Sequence, residues 1–237
     1  MNFYKRLFYA DAAAHFLFPE VCGMCENNFI EHGLPLCKNC FSDSVGFQEK
    51  GRCKKCGELL YNSSCSVCSS RKIYFNKAFF LYNYKNREKH IFKMAKFENR
   101  HRAVNFFTEN FLNYLKQLLP QNINYILALP SSKPFLEKLL SFVKQDFQVD
   151  FPFIVIKKKQ SKFMHAKDRF LMIENTLSLK ENYKLQKNIK YCIFDDVFTT
   201  GATLNSAAKL CNENGVLIKN IYVAALLRRD KKGIDSL

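Results

Sequence analysis

Apolar residues along this chain gather in short unbroken runs, and these alternate with longer stretches of helical spacing. Runs without polar alternation suit strands covered on both faces, the usual condition of a parallel sheet. Residues 125–129, 151–156, 189–194 and 221–227 read as such strands, with 189–194 central, and residues 77–85 as a strand or hairpin. Residues 87–97 place Ile91, Phe92, Met94 and Ala95 at helical spacing. Residues 101–119 do the same with Val104, Phe107, Phe111, Leu112 and Leu115. Residues 133–144 form a further predicted helix. Residues 202–214 carry Leu204, Ala207, Ala208 and Cys211 on one stripe and stop at Asn214-Gly215. Residues 157–179 are polar, basic and expected to be mobile. Strand–helix–strand order with short connections predicts an α/β fold, a parallel sheet flanked by helices.

The amino-terminal part follows a different logic. Cys22, Cys25, Cys37, Cys40, Cys53, Cys56, Cys65 and Cys68 make four C-x-x-C pairs, separated by eleven, twelve and eight residues. Each pair offers two thiolates on one tight turn, and two pairs complete a tetrahedral zinc site. Sequential pairing gives a double zinc ribbon, one site from Cys22 to Cys40 and another from Cys53 to Cys68. Pairing of alternate C-x-x-C units, a cross-braced arrangement, is the other option. The first twenty residues are broken by Lys5, Arg6, Asp11 and His15 and do not read as a secretory signal. No apolar stretch is long enough to span a membrane. A cytoplasmic location is therefore expected, with thiols kept reduced, which favours structural zinc over disulfides. The 237 residues suffice for one ordinary domain plus a small metal-stapled one, divided at 1–72 and 73–237.

Candidate chemistry concentrates in residues 189–203, IKYCIFDDVFTTGAT. Here a buried strand ends in Asp195 and Asp196, and a polar turn leads into a predicted helix. Carboxylates at a strand end can accept hydrogen bonds from neighbouring sugar hydroxyls. Thr199, Thr200 and Thr203 supply hydroxyls, Gly201 permits a tight turn, and a helix start offers unpaired N–H groups to a phosphate. The carboxyl ends of parallel strands are where doubly wound sheets bind ligands.

From Tyr191 to Thr203 the string resembles the phosphoribosyl-diphosphate (PRPP) motif of type I phosphoribosyltransferases: four hydrophobic residues, two acids, a spacer and Thr-Gly-x-Thr. The resemblance implies that Asp195 and Asp196 hold the ribose 2- and 3-hydroxyls and form the catalytic pair. It also implies that Thr199, Thr200, Gly201, Ala202 and Thr203 cradle the 5-phosphate, with Mg2+ accompanying PRPP. Pro130, Ser131 and Ser132 fall where that fold places its pyrophosphate loop. Lys133 is the nearby cation, and no arginine string follows. The 5-phosphate is thus better provided for than the diphosphate, and ribose 5-phosphate or a nucleotide phosphate is an expected ligand beside PRPP.

Cysteine ribbons followed by this motif resemble the ComF family of bacterial competence proteins, the ComFC type. The likeness extends to Phe18-Pro19, to Tyr82-Asn83-Tyr84-Lys85, to Lys96-Phe97, and to a basic stretch around Gln160, Arg169 and Asn175. It implies a flexible loop that brings Lys157, Lys167 and Arg169 toward a diphosphate. It also implies a role in natural transformation: handling incoming single-stranded DNA in the cytoplasm, at or near the inner face of the membrane. A helicase-like translocase and single-strand-processing proteins would be its partners. The alternative is a metabolic phosphoribosyltransferase acting on an unidentified base or nucleotide.

Charge bears on that choice. Residues 1–72 hold nine Lys/Arg and seven Asp/Glu, whereas residues 73–237 hold 28 and 14, a net of +14. An evenly spread lysine-rich surface and a polyanion-binding face are both compatible with this. Clusters at Lys157 to Lys159, Lys162, Lys167 and Arg169, and at Arg228, Arg229, Lys231 and Lys232, point to the second.

Overall fold

A computed structural model describes residues 21–22, 24–26, 29–31, 34–41, 46–120, 122–131, 133–156 and 176–230. In chain order its strands are β1 (Ala78–Asn83), β2 (Ile123–Ala128), β3 (Gln148–Asp150), β4 (Phe153–Val155), β5 (Leu177–Leu179), β6 (Lys190–Phe198) and β7 (Ile221–Arg228). The helices are α1 (Lys38–Phe41), α2 (Ser66–Ser70), α3 (Asn86–Lys96), α4 (His101–Leu118), α5 (Pro134–Val143) and α6 (Ala202–Glu213). Five strands form one sheet in the order β1-β7-β6-β2-β3, every neighbouring pair parallel. The central strand is β6, as the apolar run predicts. Cys192, Ile193 and Phe194 are fully buried.

Alternation along β6 divides the core in two. Cys192 and Phe194 face α3, α4 and α5, where Phe92, Phe107, Phe111 and Phe135 pack together. The rings of Phe111 and Phe194 lie 4.5 Å apart, centroid to centroid. Tyr191 and Ile193 face α6, whose Leu204, Ala207, Ala208 and Cys211 close the other side. Each fully buried large apolar side chain on either face contributes about 1.5–3 kcal/mol. The predicted helical stripes therefore become the two covers of the sheet.

The cysteine segments take part in both faces. Cys22, Ile30, Leu36 and Cys37 join the apolar cluster under α3–α5, and Cys56, Val67, Ile73 and Phe75 join the one under α6. Among the described residues no helix is long and apolar enough to cross a membrane.

Three elements differ from expectation. The strand expected at 151–156 is not part of the main sheet: β4 within it pairs antiparallel with β5, and the sheet's edge beside β2 is β3, residues 148–150, where the apolar pattern predicts no strand. Pro152 lies between β3 and β4. It has no N–H to continue a ladder, so the chain changes partner there. The second difference is β5 itself. It falls within the segment expected to be polar and mobile, yet Leu177 is buried. The remainder of that segment, 157–175, lies outside the described residues. Third, β6 continues to Phe198, so both aspartates sit within the strand rather than after it, Asp195 opposite Ala225 of β7.

Candidate functional site

Asp195 and Asp196 occupy the carboxyl-terminal half of β6. Consecutive strand residues point to opposite faces. Asp196 lies on the face of α3, where the Lys96 ammonium forms an ion pair with its Oδ2. It is 7% exposed. Asp195, half-buried on the other side, accepts the N–H of Asp196 through Oδ1 at 2.8 Å. Burial and the neighbouring Asp196 charge push Asp195 up to about 7, with the Asp196 N–H and Lys96 pulling the other way. The pair is thus asymmetric. One acid is held by a cation, and the other sits poised near neutrality.

The exit of β2 is tied to the same place. Leu129 donates its N–H to the carbonyl of Phe194 at 3.0 Å, so Pro130 and Ser131 leave the sheet beside the acids. They line a cavity of about 220 Å³ together with Leu136, Phe151 and Lys180. Asp195 and Asp196 are not among its lining residues. Ser132 and the loop residues Lys157, Lys167 and Arg169 lie outside the described residues.

Downstream of the acids, Thr199 and Thr200 are exposed and Gly201 caps α6. Gly201 has φ +71°, and a Cβ there would lie 2.2 Å from the Phe198 ring. Only glycine fits both conditions. The Ala202 N–H donates to Thr200 Oγ1 at 3.3 Å, and Thr203 lies in the first turn of the helix. The amino end of α6 thus follows directly on the acid-bearing strand, an arrangement that suits an anion.

Side chains that no motif announces brace this turn. Arg228, at the end of β7, donates to the carbonyl of Thr199 at 2.7 Å and pairs with Glu58 at 2.9 Å. Arg71 donates to the carbonyl of Thr200. Arg228 was expected in a surface cluster for a polyanion. It is instead 1% exposed, buried by Phe80 and Phe198 and neutralised by Glu58. Of that cluster Arg229 is exposed, and Lys231 and Lys232 lie outside the described residues. The one available signal for Arg228 was a cation closing a wholly apolar strand.

The cysteines form two sequential tetrads, Cys22/Cys25/Cys37/Cys40 and Cys53/Cys56/Cys65/Cys68, with the four sulfurs of each within 4.8 Å of one another. The cross-braced pairing is excluded. Tetrahedral zinc with bonds of about 2.3 Å needs sulfurs roughly 3.8 Å apart. Cys25 to Cys37 and Cys53 to Cys68 each measure 3.8 Å, and Cys56 to Cys65 3.4 Å. Both tetrads fit the ion. Burial and the crowded thiols push Cys40 and Cys68 up to about 12, so a cation is needed before all four ionise together.

No protein-family model and no curated protein matches the chain. Solved structures similar to it include a hypoxanthine phosphoribosyltransferase from Staphylococcus aureus, at 15% identity and TM-score 0.36, spanning 54% of this chain and 64% of that one. Adenine phosphoribosyltransferase from Leishmania tarentolae is similar at 12% identity and TM-score 0.36, over 55% of this chain and 73% of that one. The adenine phosphoribosyltransferase from Leishmania donovani gives 10% identity and TM-score 0.38, over 57% and 68%. The chain thus spans less than two thirds of the first of these.

Proposed function

We propose that the chain binds a ribose 5-phosphate group at the carboxyl end of β6, either as ribose 5-phosphate or as part of PRPP. One observation carries this reading: two adjacent acids on the central parallel strand run directly into the Thr199–Gly201 turn and the start of α6. Asp195, half-buried and close to neutrality, can accept from one ribose hydroxyl. Asp196 can accept from the next while Lys96 holds its second position. Backbone N–H groups at the start of α6 take the 5-phosphate. In PRPP the diphosphate would extend toward Pro130, Ser131 and Lys133, where only Ser131 and Lys133 can donate. With PRPP, Asp195 and Asp196 would stand beside the accompanying Mg2+, a hard cation that oxygen ligands suit and that neutralises diphosphate charge.

In the cell we place this pocket in a cytoplasmic protein that handles incoming single-stranded DNA during natural transformation. Its neighbours would be a helicase-like translocase and single-strand-processing proteins. The sequence resemblance to the ComF family and the net of +14 over residues 73–237 support this. Titration calorimetry tests the pocket and the DNA role separately. Ribose 5-phosphate, and PRPP with Mg2+, should bind the wild-type chain. Asp195→Asn with Asp196→Asn should weaken both by at least about 10-fold, a loss of ~1.4 kcal/mol. Single-stranded DNA should bind with an affinity that falls steeply with salt and is nearly unchanged in the double variant. Absent sugar-phosphate binding refutes the pocket, and absent or salt-independent DNA binding refutes the transformation role.

A further inference from the structure

The second cysteine tetrad is connected to the 198–201 turn by contacts that the ribose-phosphate reading leaves unused. The N–H of Cys53, one of its four sulfur donors, donates to the carbonyl of Glu58 at 2.8 Å. The Glu58 carboxylate pairs with Arg228 at 2.9 Å, and their side chains are 2% and 0% exposed. From Nη1 the same guanidinium donates to the carbonyls of Thr199 at 2.7 Å and Phe198 at 3.4 Å. It also lies 4.9 Å from the Phe198 ring, the ring over which Gly201 closes.

A second thread runs in parallel. Arg71, three residues beyond Cys68, donates to the carbonyl of Thr200. Behind it the buried Asn205 of α6 accepts the N–H of Tyr74 at 2.9 Å and donates to the carbonyl of Lys72 at 3.1 Å. The carbonyls of Phe198, Thr199 and Thr200 are therefore all held by cations anchored on the tetrad segment.

This matters for the opposite edge of each peptide. A trans peptide points its N–H away from its carbonyl, and the described chain has no cis bond. With those carbonyls drawn toward Arg228 and Arg71, the N–H groups of Thr199, Thr200 and Gly201 are turned the other way. That is the orientation a phosphate requires. The link is also brittle. Arg228 Nε and Glu58 Oε1 have no hydrogen-bond partner among the described residues. A displaced Glu58 would leave the buried guanidinium with its carbonyl acceptors but without a contact ion pair, the charge of Asp230 being held by Arg52.

We propose that metal in the Cys53/Cys56/Cys65/Cys68 tetrad sets the phosphate-binding geometry of the 198–201 turn through the positioning residues Glu58 and Arg228. Zinc and a sugar phosphate then bind cooperatively. The inference rests on the ribose 5-phosphate reading and adds a regulator to that site. Coupling of this kind is reciprocal, so the ligand must tighten zinc by the same factor that zinc tightens the ligand. The first tetrad packs on the other face of the sheet, with the Cys40 carbonyl held by Arg87 at 3.4 Å. It is the internal control.

The test is zinc competition on the full zinc-loaded chain with a chromophoric chelator, with and without saturating ribose 5-phosphate. One of the two zinc ions should be held about 5-fold or more tighter when ribose 5-phosphate is present, the other unchanged. Glu58→Gln keeps all eight thiols and should lose this dependence. A variant that merely stabilises the fold would not alter a ligand-dependent zinc affinity. The wild-type comparison decides the matter even if the variant does not fold. Ribose 5-phosphate that binds without changing either zinc affinity overturns the coupling and spares the pocket. Failure of ribose 5-phosphate to bind overturns both. Glu58→Gln with the full dependence intact overturns the route assigned here.

Discussion

Asp195 and Asp196 are neighbours in sequence with opposite fates. Asp196 is buried against a lysine 100 residues away, and Asp195 is half-buried, accepts the Asp196 N–H and feels Lys96 only at a distance. A carboxyl whose pKa rises from 3.8 to about 7 on folding binds more protons in the folded state across that interval. Stability therefore falls as pH rises through the window from about 4 to 7. Replacing the group by a neutral isostere removes the cost. Asp195→Asn should raise stability by about 1–3 kcal/mol at pH 8 and change little at pH 4. Thermal unfolding at the two pH values checks this, and an equal effect at both would contradict it. The two acids were legible from the sequence because their chemistry and their chain order coincide. The asymmetry between them was not. It depends on Lys96 reaching across from α3, and no local spacing encodes that contact.

The acid pair works only through the element that carries it. Strand β6, the turn at Gly201 and helix α6 form one strand–turn–helix unit. Its hinge is a residue with φ +71° whose α-carbon is covered by the Phe198 ring. Gly201→Ala should cost about 1–3 kcal/mol, since alanine strains at positive φ and its methyl group needs space that Phe198 fills. Ribose 5-phosphate binding should fall with it, by more than the binding of single-stranded DNA. Helix content by circular dichroism should stay nearly unchanged. A variant of wild-type stability and affinity would show that the turn is not the hinge. This unit was readable in advance because a period-free apolar run, a glycine and a helical stripe follow one another without interruption. Residues 148–155 were not. Gln148-Val149-Asp150 has a single apolar residue and gives no strand signal, whereas Phe153-Ile154-Val155 reads like a sheet strand, and only Pro152 tells where the chain quits the parallel sheet for β5.

At the scale of the whole molecule, the two tetrads stand on opposite faces of one sheet, and each adds apolar side chains to the core on its own side. The spacing of the cysteines left sequential and cross-braced pairing open, and neither the choice between them nor this placement was legible, because both depend on contacts between distant segments such as Glu58 with Arg228. Structural zinc contributes on the order of 10 kcal/mol to the folding of small metal-stapled modules. With both tetrads loaded, part of that free energy would pass into the sheet, because Leu36 and Phe75 are fully buried within its cores. The purified chain should accordingly contain two zinc ions by elemental analysis. Cys37→Ser and Cys53→Ser should each lose one. Of the two, Cys53→Ser should loosen the 198–201 turn, seen as faster amide exchange at Thr200 to Ala202, whereas Cys37→Ser should loosen the face under α3–α5. Stripping zinc with a strong chelator should lower the unfolding temperature of the entire chain, not only of the cysteine segments. Sheet amides that keep full protection after complete zinc removal would contradict this, because the cores would then be holding without their metal-stapled walls.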